Sequence, residues 1–428
     1  MVKILDRYFF LPEGKVLVKG VRYSILADLE KKELYRLNAS AIHIIELGEK
    51  GYKLDEAMKL QEPKNPNILR FIEELGNKGL ICFSSEPKPE TFPDIPRVGL
   101  DFIWLEVTTG CNLHCPHCYV DAGTKRVVDP PKEEIFGWLD QGAALGCKKV
   151  QFTGGECTMR KDIESLIRYA KTRGFDFIEV MTNCTFITEP RARFFAKNNI
   201  NVATSLYSYR PATHDAITGV PGSFAKTIQG IHLLLAHEVP VRCDIIAMSH
   251  NEEDLDGTIR FLKEMGIYRR PPIPIRPTGR GVETKHWSRK CEFQSIRTTH
   301  EDFPVNREVY ELSLCWNNCW AGLIAITTDG NVLPCIFARG QVAGNVRTQP
   351  LSDIINSSMQ EFWRLTKDHV EICRDCEYRY FCHDCRPWAY GYSGNLYAKS
   401  PRCTYDPYTG IWGTAEGVLH LDSIDRFS

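Results

Sequence analysis

Three cysteines lie within one short run, Glu106-Val107-Thr108-Thr109-Gly110-Cys111-Asn112-Leu113-His114-Cys115-Pro116-His117-Cys118-Tyr119, spaced Cys-x3-Cys-x2-Cys. Three thiolates on one loop can hold a 4Fe-4S cluster and leave one iron open to a substrate or cosubstrate. The same residues can serve zinc if His114 or His117 supplies a fourth ligand. Spacing alone leaves both chemistries open.

A second group of cysteines occupies the last quarter of the chain. Cys319 and Cys335 frame Cys-x10-Gly330-x4-Cys; Cys373, Cys376, Cys382 and Cys385 follow as Cys-x2-Cys-x5-Cys-x2-Cys; and Cys403 comes last. With Cys315 this makes eight thiols, enough for two fully ligated clusters or for two zinc knuckles. Cys82, Cys147, Cys184, Cys243 and Cys291 have no comparable spacing and read as ordinary buried cysteines. A total of 17 cysteines suits metal better than disulfides, because nothing in the first residues resembles an export signal: Lys3, Asp6 and Arg7 interrupt the apolar stretch.

The elements that must carry these loops follow from composition and periodicity. A chain of 428 residues, 43% hydrophobic and 25% charged, is ordinary for a globular protein of several modules. A net charge of −1 gives no basic field for nucleic acid, and no apolar run reaches membrane-spanning length. The expected location is cytoplasmic, with no nucleic-acid or membrane partner.

Three parts are expected: residues 1–95, 96–305 and 306–428. In the first, Val16–Val18 and Tyr23–Ala27 read as strands and Asn38–Leu47 as a further segment. A helix is expected from Asn65 as N-cap and Pro66, with Ile68, Leu69, Phe71, Ile72 and Leu75 on its apolar face. Pro87, Pro89, Pro93 and Pro96 make Ser85–Arg97 a linker.

In the second part, strands are expected at Ile103–Val107, Lys149–Thr153, Phe177–Met181, Val202–Leu206, Val241–Ala247 and Ile273–Arg276. Between them, Ile163, Leu166, Ile167 and Ala170 form one helical stripe, and Phe224, Ile228, Ile231 and Leu235 another. Six strand-helix alternations imply a parallel α/β sheet, a partial barrel or a doubly wound one, with its chemistry at the strands' carboxyl ends. The third part, rich in Cys, Trp, Tyr and turn residues, reads as a loop-rich module held by metal.

On these motifs the chain resembles the radical S-adenosylmethionine (SAM) enzymes, whose signature is Cys-x3-Cys-x2-Cys with an aromatic residue near the third cysteine. Gly154, Gly155 and Glu156, after the second strand, resemble the family's GGE motif, which contacts the SAM amino group; paired glycines admit close backbone approach and a carboxylate suits an ammonium. Thr182, Asn183 and Ser205 resemble polar residues lining the SAM pocket. His117 stands where the backbone commonly meets adenine, so its side chain needs no role. Cys157 replaces a frequent proline and reads as a passive small residue.

The C-terminal cysteines resemble the SPASM extension of these enzymes, which carries two auxiliary 4Fe-4S clusters. By that resemblance the first is ligated by Cys315, Cys319, Cys335 and Cys385 and the second by Cys373, Cys376, Cys382 and Cys403, although the family's last interval is more often x3 than the x2 found here. The implied fold is a partial (β/α)6 TIM-like barrel with an N-terminal winged-helix-like α+β domain and a C-terminal loop-rich iron-sulfur domain. The implied cofactors are SAM and three clusters, and the implied chemistry is reductive SAM cleavage to a 5′-deoxyadenosyl radical that removes hydrogen from an unactivated carbon.

Tyr35-Arg36-Leu37-Asn38-Ala39-Ser40-Ala41 and Gly79-Leu80-Ile81 resemble the small leader-peptide-recognition domains of ribosomal peptide biosynthesis. Such domains add the leader as a strand to a sheet edge. The expected partners are therefore a precursor peptide and a reduced flavodoxin- or ferredoxin-type donor, and the expected reaction is an oxidative crosslink. Sulfatase-type maturation is disfavoured because Ile336 stands where those enzymes commonly carry an Asp base. Peptide epimerisation and a zinc-stabilised peptide-binding adaptor are the other readings. His214 and Asp215 are expected to cap the following helix rather than to do acid-base work, and Arg276, Arg280 and the loop between Thr278 and Ser288 are read as solvated, with lining of the pocket as the other reading.

Overall fold

A computed structural model describes residues 4–89, 96–124, 128–269, 271–288, 303–383, 385–414 and 417–419. The expected cysteine Cys291 and the linker's central residues, 90–95, lie outside these.

The N-terminal part pairs β1 (Tyr8–Phe10) with β5 (Cys82–Ser84), fastening its two ends together. Between them, β2 (Lys15–Lys19), β3 (Ser24–Asp28) and β4 (Glu33–Leu37) form an antiparallel sheet in the order β2-β3-β4. Three helices follow, α1 (Ala39–Glu49), α2 (Leu54–Leu60) and α3 (Ile68–Asn77). Asn38 caps α1 by accepting the Ala41 N–H at 3.0 Å. The helix expected from Asn65 begins later, at Ile68, because the Asn65 side chain accepts the Asn67 N–H at 2.9 Å in a local turn.

Every residue of β3 is buried, which requires cover on both faces of the sheet. Leu26 and Leu37 pack with Ile44, Ile72 and other residues of the helices. Val18, Ile25, Ala27 and Leu29 pack against Phe303, Tyr378, Phe381, Tyr405 and Trp412 of the C-terminal part. The Val21 N–H also donates to the Asp375 carbonyl at 2.9 Å. The first domain therefore sits directly on the cysteine-rich module.

The central sheet has nine strands in the order β12-β10-β9-β8-β7-β6-β14-β15-β16. Its parallel barrel strands are β6 (Phe102–Thr108), β7 (Lys149–Gly154), β8 (Phe177–Met181), β9 (Asn201–Ser205) and β10 (Val241–Asp244), with helices packed outside. Ile103, Leu105, Val150, Phe152, Ile178, Val180 and Val202 are buried among Ile163, Leu166, Ile167 and Ala170, the stripe expected on α5 (Ile163–Thr172). Each such side chain stabilises the fold by roughly 1.5–3 kcal/mol. The helices preceding and following it on the sheet include α4 (Lys132–Ala144), α6 (Glu189–Lys197), α7 (Pro211–Thr218) and α8 (Ser223–Ala236).

The stripe expected on α8 packs on this core, with Ile231 buried and Phe224, Ile228 and Leu235 partly so; Thr227, Gly230 and Leu234 complete the buried face, and a Cβ on Gly230 would lie 2.1 Å from the Cys184 carbonyl. One expectation is corrected here. The expected strand Val241–Ala247 breaks at Ile245. Its end, β11 (Ile246–Ala247), pairs with β13 (Ile273–Pro274), while β12 (Tyr268–Arg269) takes the sheet edge beside β10.

The C-terminal part joins the same sheet. β14 (Leu323–Ile326) runs parallel to β6, and β15 (Asn331–Leu333) and β16 (Gly344–Asn345) continue antiparallel. The ladder thus crosses the expected border between residues 305 and 306. It places the Cys335 turn beside the loop that follows β6. Among the described residues, no helix is long and apolar enough to cross a membrane.

Candidate functional site

The Cys111–Cys118 loop leaves the carboxyl end of β6 and is held from several sides. Thr108 Oγ1 accepts the Gly110 N–H at 2.9 Å, Gly123 accepts the Cys111 N–H at 3.2 Å, and Thr218 accepts the His114 N–H at 2.7 Å. Arg280 donates from Nε to the Cys115 carbonyl at 2.9 Å and from Nη1 to Asp121 at 2.6 Å and to the Ala122 carbonyl at 2.9 Å. The solvated arginine expected from sequence is instead a brace for the loop.

All three cysteines line one cavity that opens to solvent, with about 1200 Å³ of space counting its mouth. Two backbone N–H groups already point at their sulfurs, Leu113 to Cys111 at 3.4 Å and Ala122 to Cys118 at 3.3 Å. Burial pushes the free thiols up, Cys111 to about 11 and Cys115 to about 12. They ionise at neutral pH only if a metal replaces the proton. Among the described residues, no three Cys, His, Asp or Glu side chains converge on a single ion. Three thiolates on one loop can each take a different iron of a polynuclear cluster.

The Gly154-Gly155 pair works against the protein's own backbone. A Cβ would lie 2.2 Å from the Thr108 carbonyl at Gly154 and 2.1 Å from the Gly110 carbonyl at Gly155, and Gly154 has φ +128°. The pair lets β7 approach the base of the cysteine loop, where the Gly155 and Glu156 N–H groups donate to Thr108 and Gly110 at 2.8 and 2.7 Å. The close approach expected toward a ligand is thus made to the loop, although both glycines also line the cavity.

Glu156 is fully buried. Its carboxylate accepts the Thr158 N–H and hydroxyl, the Thr182 hydroxyl at 2.7 Å and the Asn183 N–H at 2.6 Å. Burial raises its pKa against these four donors. In place of a free carboxylate facing an ammonium, the structure shows a post that fixes the turn after β8. Asn183 then donates to Asn112 at 2.9 Å and lines the cavity with Thr182 and Ser205. Cys157 is buried, with its thiol directed to the Met181 carbonyl at 3.1 Å, as a passive residue would be.

The His117 side chain lies in the cavity wall. It meets Tyr207 edge to face at 4.8 Å, and burial pushes it down to about 3. Tyr207 also stands 3.9 Å from Cys115 Sγ. His214 lines the cavity too and is pushed down to about 4 by burial, so it is not the expected cap. Asp215 is: its carboxylate accepts the Gly222 N–H at 2.6 Å, the Phe224 N–H at 2.8 Å and the Ser223 hydroxyl at 2.8 Å, at the start of α8.

The C-terminal cysteines form two groups. Cys315, Cys319 and Cys335 pack on the barrel core, and Cys335 is in electrostatic range of Cys385. Cys373, Cys376, Cys382 and Cys403 line a separate cavity of about 520 Å³, with Cys385 also on its wall. Cys385, which the resemblance assigns with Cys315, Cys319 and Cys335, lies on the wall of the cavity lined by the other four and within electrostatic range of Cys335. Ile336 and Phe337, next to Cys335, extend into the first cavity, and Phe337 meets Tyr119 at 5.4 Å. Cys147, Cys184 and Cys243 are buried as expected; Cys82 is only half-buried.

The comparisons decide what these features belong to. Residues 105–262 match the model of the radical SAM superfamily, and residues 315–377 match the SPASM model of an iron-sulfur cluster-binding domain. The chain carries a radical SAM domain and a SPASM domain. The radical SAM domain implies a 4Fe-4S cluster and SAM, and the SPASM domain auxiliary iron-sulfur clusters. The chain is similar to an AdoMet-dependent heme synthase of Methanosarcina barkeri, 27% identical over 71% of this chain and 95% of the relative. It is also similar to a PqqA peptide cyclase of Xanthomonas oryzae pv. oryzae, 26% identical over 73% of this chain and 90% of the relative. The crystal structure of Streptococcus suis SuiB bound to the precursor peptide SuiA shares the fold over 92% of this chain and 98% of that one, with a TM-score of 0.54 and 15% identity. Sequence reasoning missed the approach of Tyr207 to Cys115 and the brace that Arg280 makes, because no local pattern marks contacts between segments so far apart in the chain.

Proposed function

We infer that the chain is a peptide maturase in which Cys111, Cys115 and Cys118 hold the SAM-binding cluster and the cavity beside them receives SAM and one segment of a ribosomally made precursor. Bound there, the cluster and SAM supply one-electron chemistry able to take hydrogen from an unactivated carbon. The chain's own residues orient and enclose: Asn183 and Ser205 present polar groups, Tyr207 and His117 wall off water, and Ile336 and Phe337 form an apolar side toward the auxiliary module. The net change to the peptide is the loss of two hydrogens as a crosslink closes.

The observation that carries the peptide reading is the first domain. SuiB, whose crystal structure holds its precursor peptide, shares the fold over 92% of this chain, which includes residues of the first domain. A strand-and-helix domain seated on the auxiliary module can take a leader peptide while the reacting segment reaches the barrel. Ile336 in the cavity wall, in place of a carboxylate, supports crosslinking over sulfatase-type maturation. A second reading, modification of a tetrapyrrole, is favoured by the heme synthase similarity itself.

Anaerobic co-expression with small peptides encoded beside the gene, followed by mass spectrometry against Cys115→Ala, tests the proposal. A peptide lighter by two hydrogens with the native enzyme alone supports it. Unchanged peptides together with a modified iron porphyrin would replace it with the tetrapyrrole reading.

A further inference from the structure

The main cavity holds a cation, Arg276, whose Nε lacks a hydrogen-bond partner among the described residues and whose charge is felt by the Cys335 thiol. Arg276 follows β13 and lines the wall with Phe337, its guanidinium carbon 5.3 Å from that ring's centroid. Its side chain is half-buried, and its Nε is buried without a hydrogen-bond partner among the described residues. A buried N–H without an acceptor is costly, which marks it as a group waiting for one.

The other polar groups of the wall do not compensate it. Asp244 is already bound to Arg242 at 2.6 Å, and Arg242 is also held by Glu179 at 2.7 Å. Arg276 is the cation among the described residues of this cavity's wall. Around it, Ile275, Ile336 and Phe337 give an apolar approach. The combination of a flat five-donor fork and an aliphatic surround matches a carboxylate on a short apolar stem.

We propose that Arg276 is the substrate-docking residue of this cavity and binds a carboxylate of the substrate, an acidic side chain of a peptide or a propionate of a tetrapyrrole. The assignment rests on the reading of this cavity as the reaction chamber, and not on the substrate being a peptide. It places the reacting carbon near the acid that is bound, because the same cavity contains the Cys111–Cys118 loop.

The test uses anaerobically reconstituted, SAM-loaded protein and calorimetric titration with three probes: iron coproporphyrin III, the capped tripeptide acetyl-Ala-Glu-Ala-amide, and its glutamine counterpart. Wild type is expected to bind at least one of the acids and to prefer Glu over Gln. Arg276→Gln is expected to weaken the acid by roughly tenfold or more, and Arg276→Lys to retain part of the affinity, with SAM affinity unchanged in both. Measurable binding of both tripeptides with equal affinity by wild type overturns the proposal without relying on any variant, as does binding of none of the three probes. So does acid binding unaltered in Arg276→Gln, or a loss of SAM affinity there, which would assign the guanidinium to SAM. Arg276-dependent binding of the porphyrin alone would sustain this proposal and defeat the peptide reading.

Discussion

The Arg339 guanidinium donates to Glu106 Oε1 at 2.6 Å, tying the segment after Cys335 to the first barrel strand. Glu106 is 1% exposed, and burial raises its pKa while Arg339 opposes the rise. Arg339 also lies 5.9 Å from the Tyr119 ring, and Tyr119 stacks edge to face on Phe337. One ion pair and one aromatic pair therefore register the auxiliary module against the SAM-cluster loop. Arg339→Met should lower unfolding free energy by about 3 kcal/mol, since it strands a buried carboxylate. Glu106→Gln combined with Arg339→Met should cost less than the two singly. Urea unfolding of the four proteins in a double-mutant cycle measures the coupling.

Gly154→Ala and Gly155→Ala should each displace the base of the cysteine loop, given Cβ positions 2.2 and 2.1 Å from backbone carbonyls. The expected readout is iron. A native content on the order of twelve per chain should fall by about a third in each variant after anaerobic reconstitution, with the auxiliary clusters' signals retained. Full iron content would mean that the loop does not depend on this contact.

Asp215 offers a pH test. Burial pushes its carboxyl up, but the Phe224 and Gly222 N–H groups and the Ser223 hydroxyl outweigh that and hold it below its ordinary value. Its stabilisation is therefore complete above the unfolded pKa near 3.9 and lost as pH falls through the lowered folded one. Asp215→Ala should cost about 1 kcal/mol at neutral pH and nothing once pH is below both values. Unfolding of metal-free protein across that range checks the sign.

Trp412 packs with Tyr378 and Tyr405 in the cluster that also buries Val18, Ile25 and Ala27 of the N-terminal sheet. Trp412→Ala should cost about 3–5 kcal/mol and free the sheet's second face. Hydrogen exchange in β3 should then accelerate. Unaltered protection of β3 would show that the first domain holds its sheet without the auxiliary module.

Much of the site was legible because its chemistry is local. Cys111, Cys115 and Cys118 share one turn, and the strands that aim them repeat a plain apolar pattern, so Phe177–Met181 and the stripe Ile163, Leu166, Ile167 and Ala170 are found where expected. What failed is what depends on distant partners. Arg280 reads as a solvated arginine until Cys115 and Asp121, about 160 residues earlier, are beside it. Glu156 suits an ammonium until Thr158, Thr182 and Asn183 occupy its oxygens. The break at Ile245 likewise follows from β13 pairing with β11 while β12 takes the edge, a choice made by the sheet and not by the strand's own residues.

The most direct test of the central claim is formation of 5′-deoxyadenosine by anaerobically reconstituted protein given SAM and dithionite, with Cys115→Ala beside it. The account predicts nucleoside and methionine from the native protein and none from the variant. Equal amounts from both, or none from native protein with a full iron complement, would contradict the assignment of SAM chemistry to the Cys111–Cys118 loop.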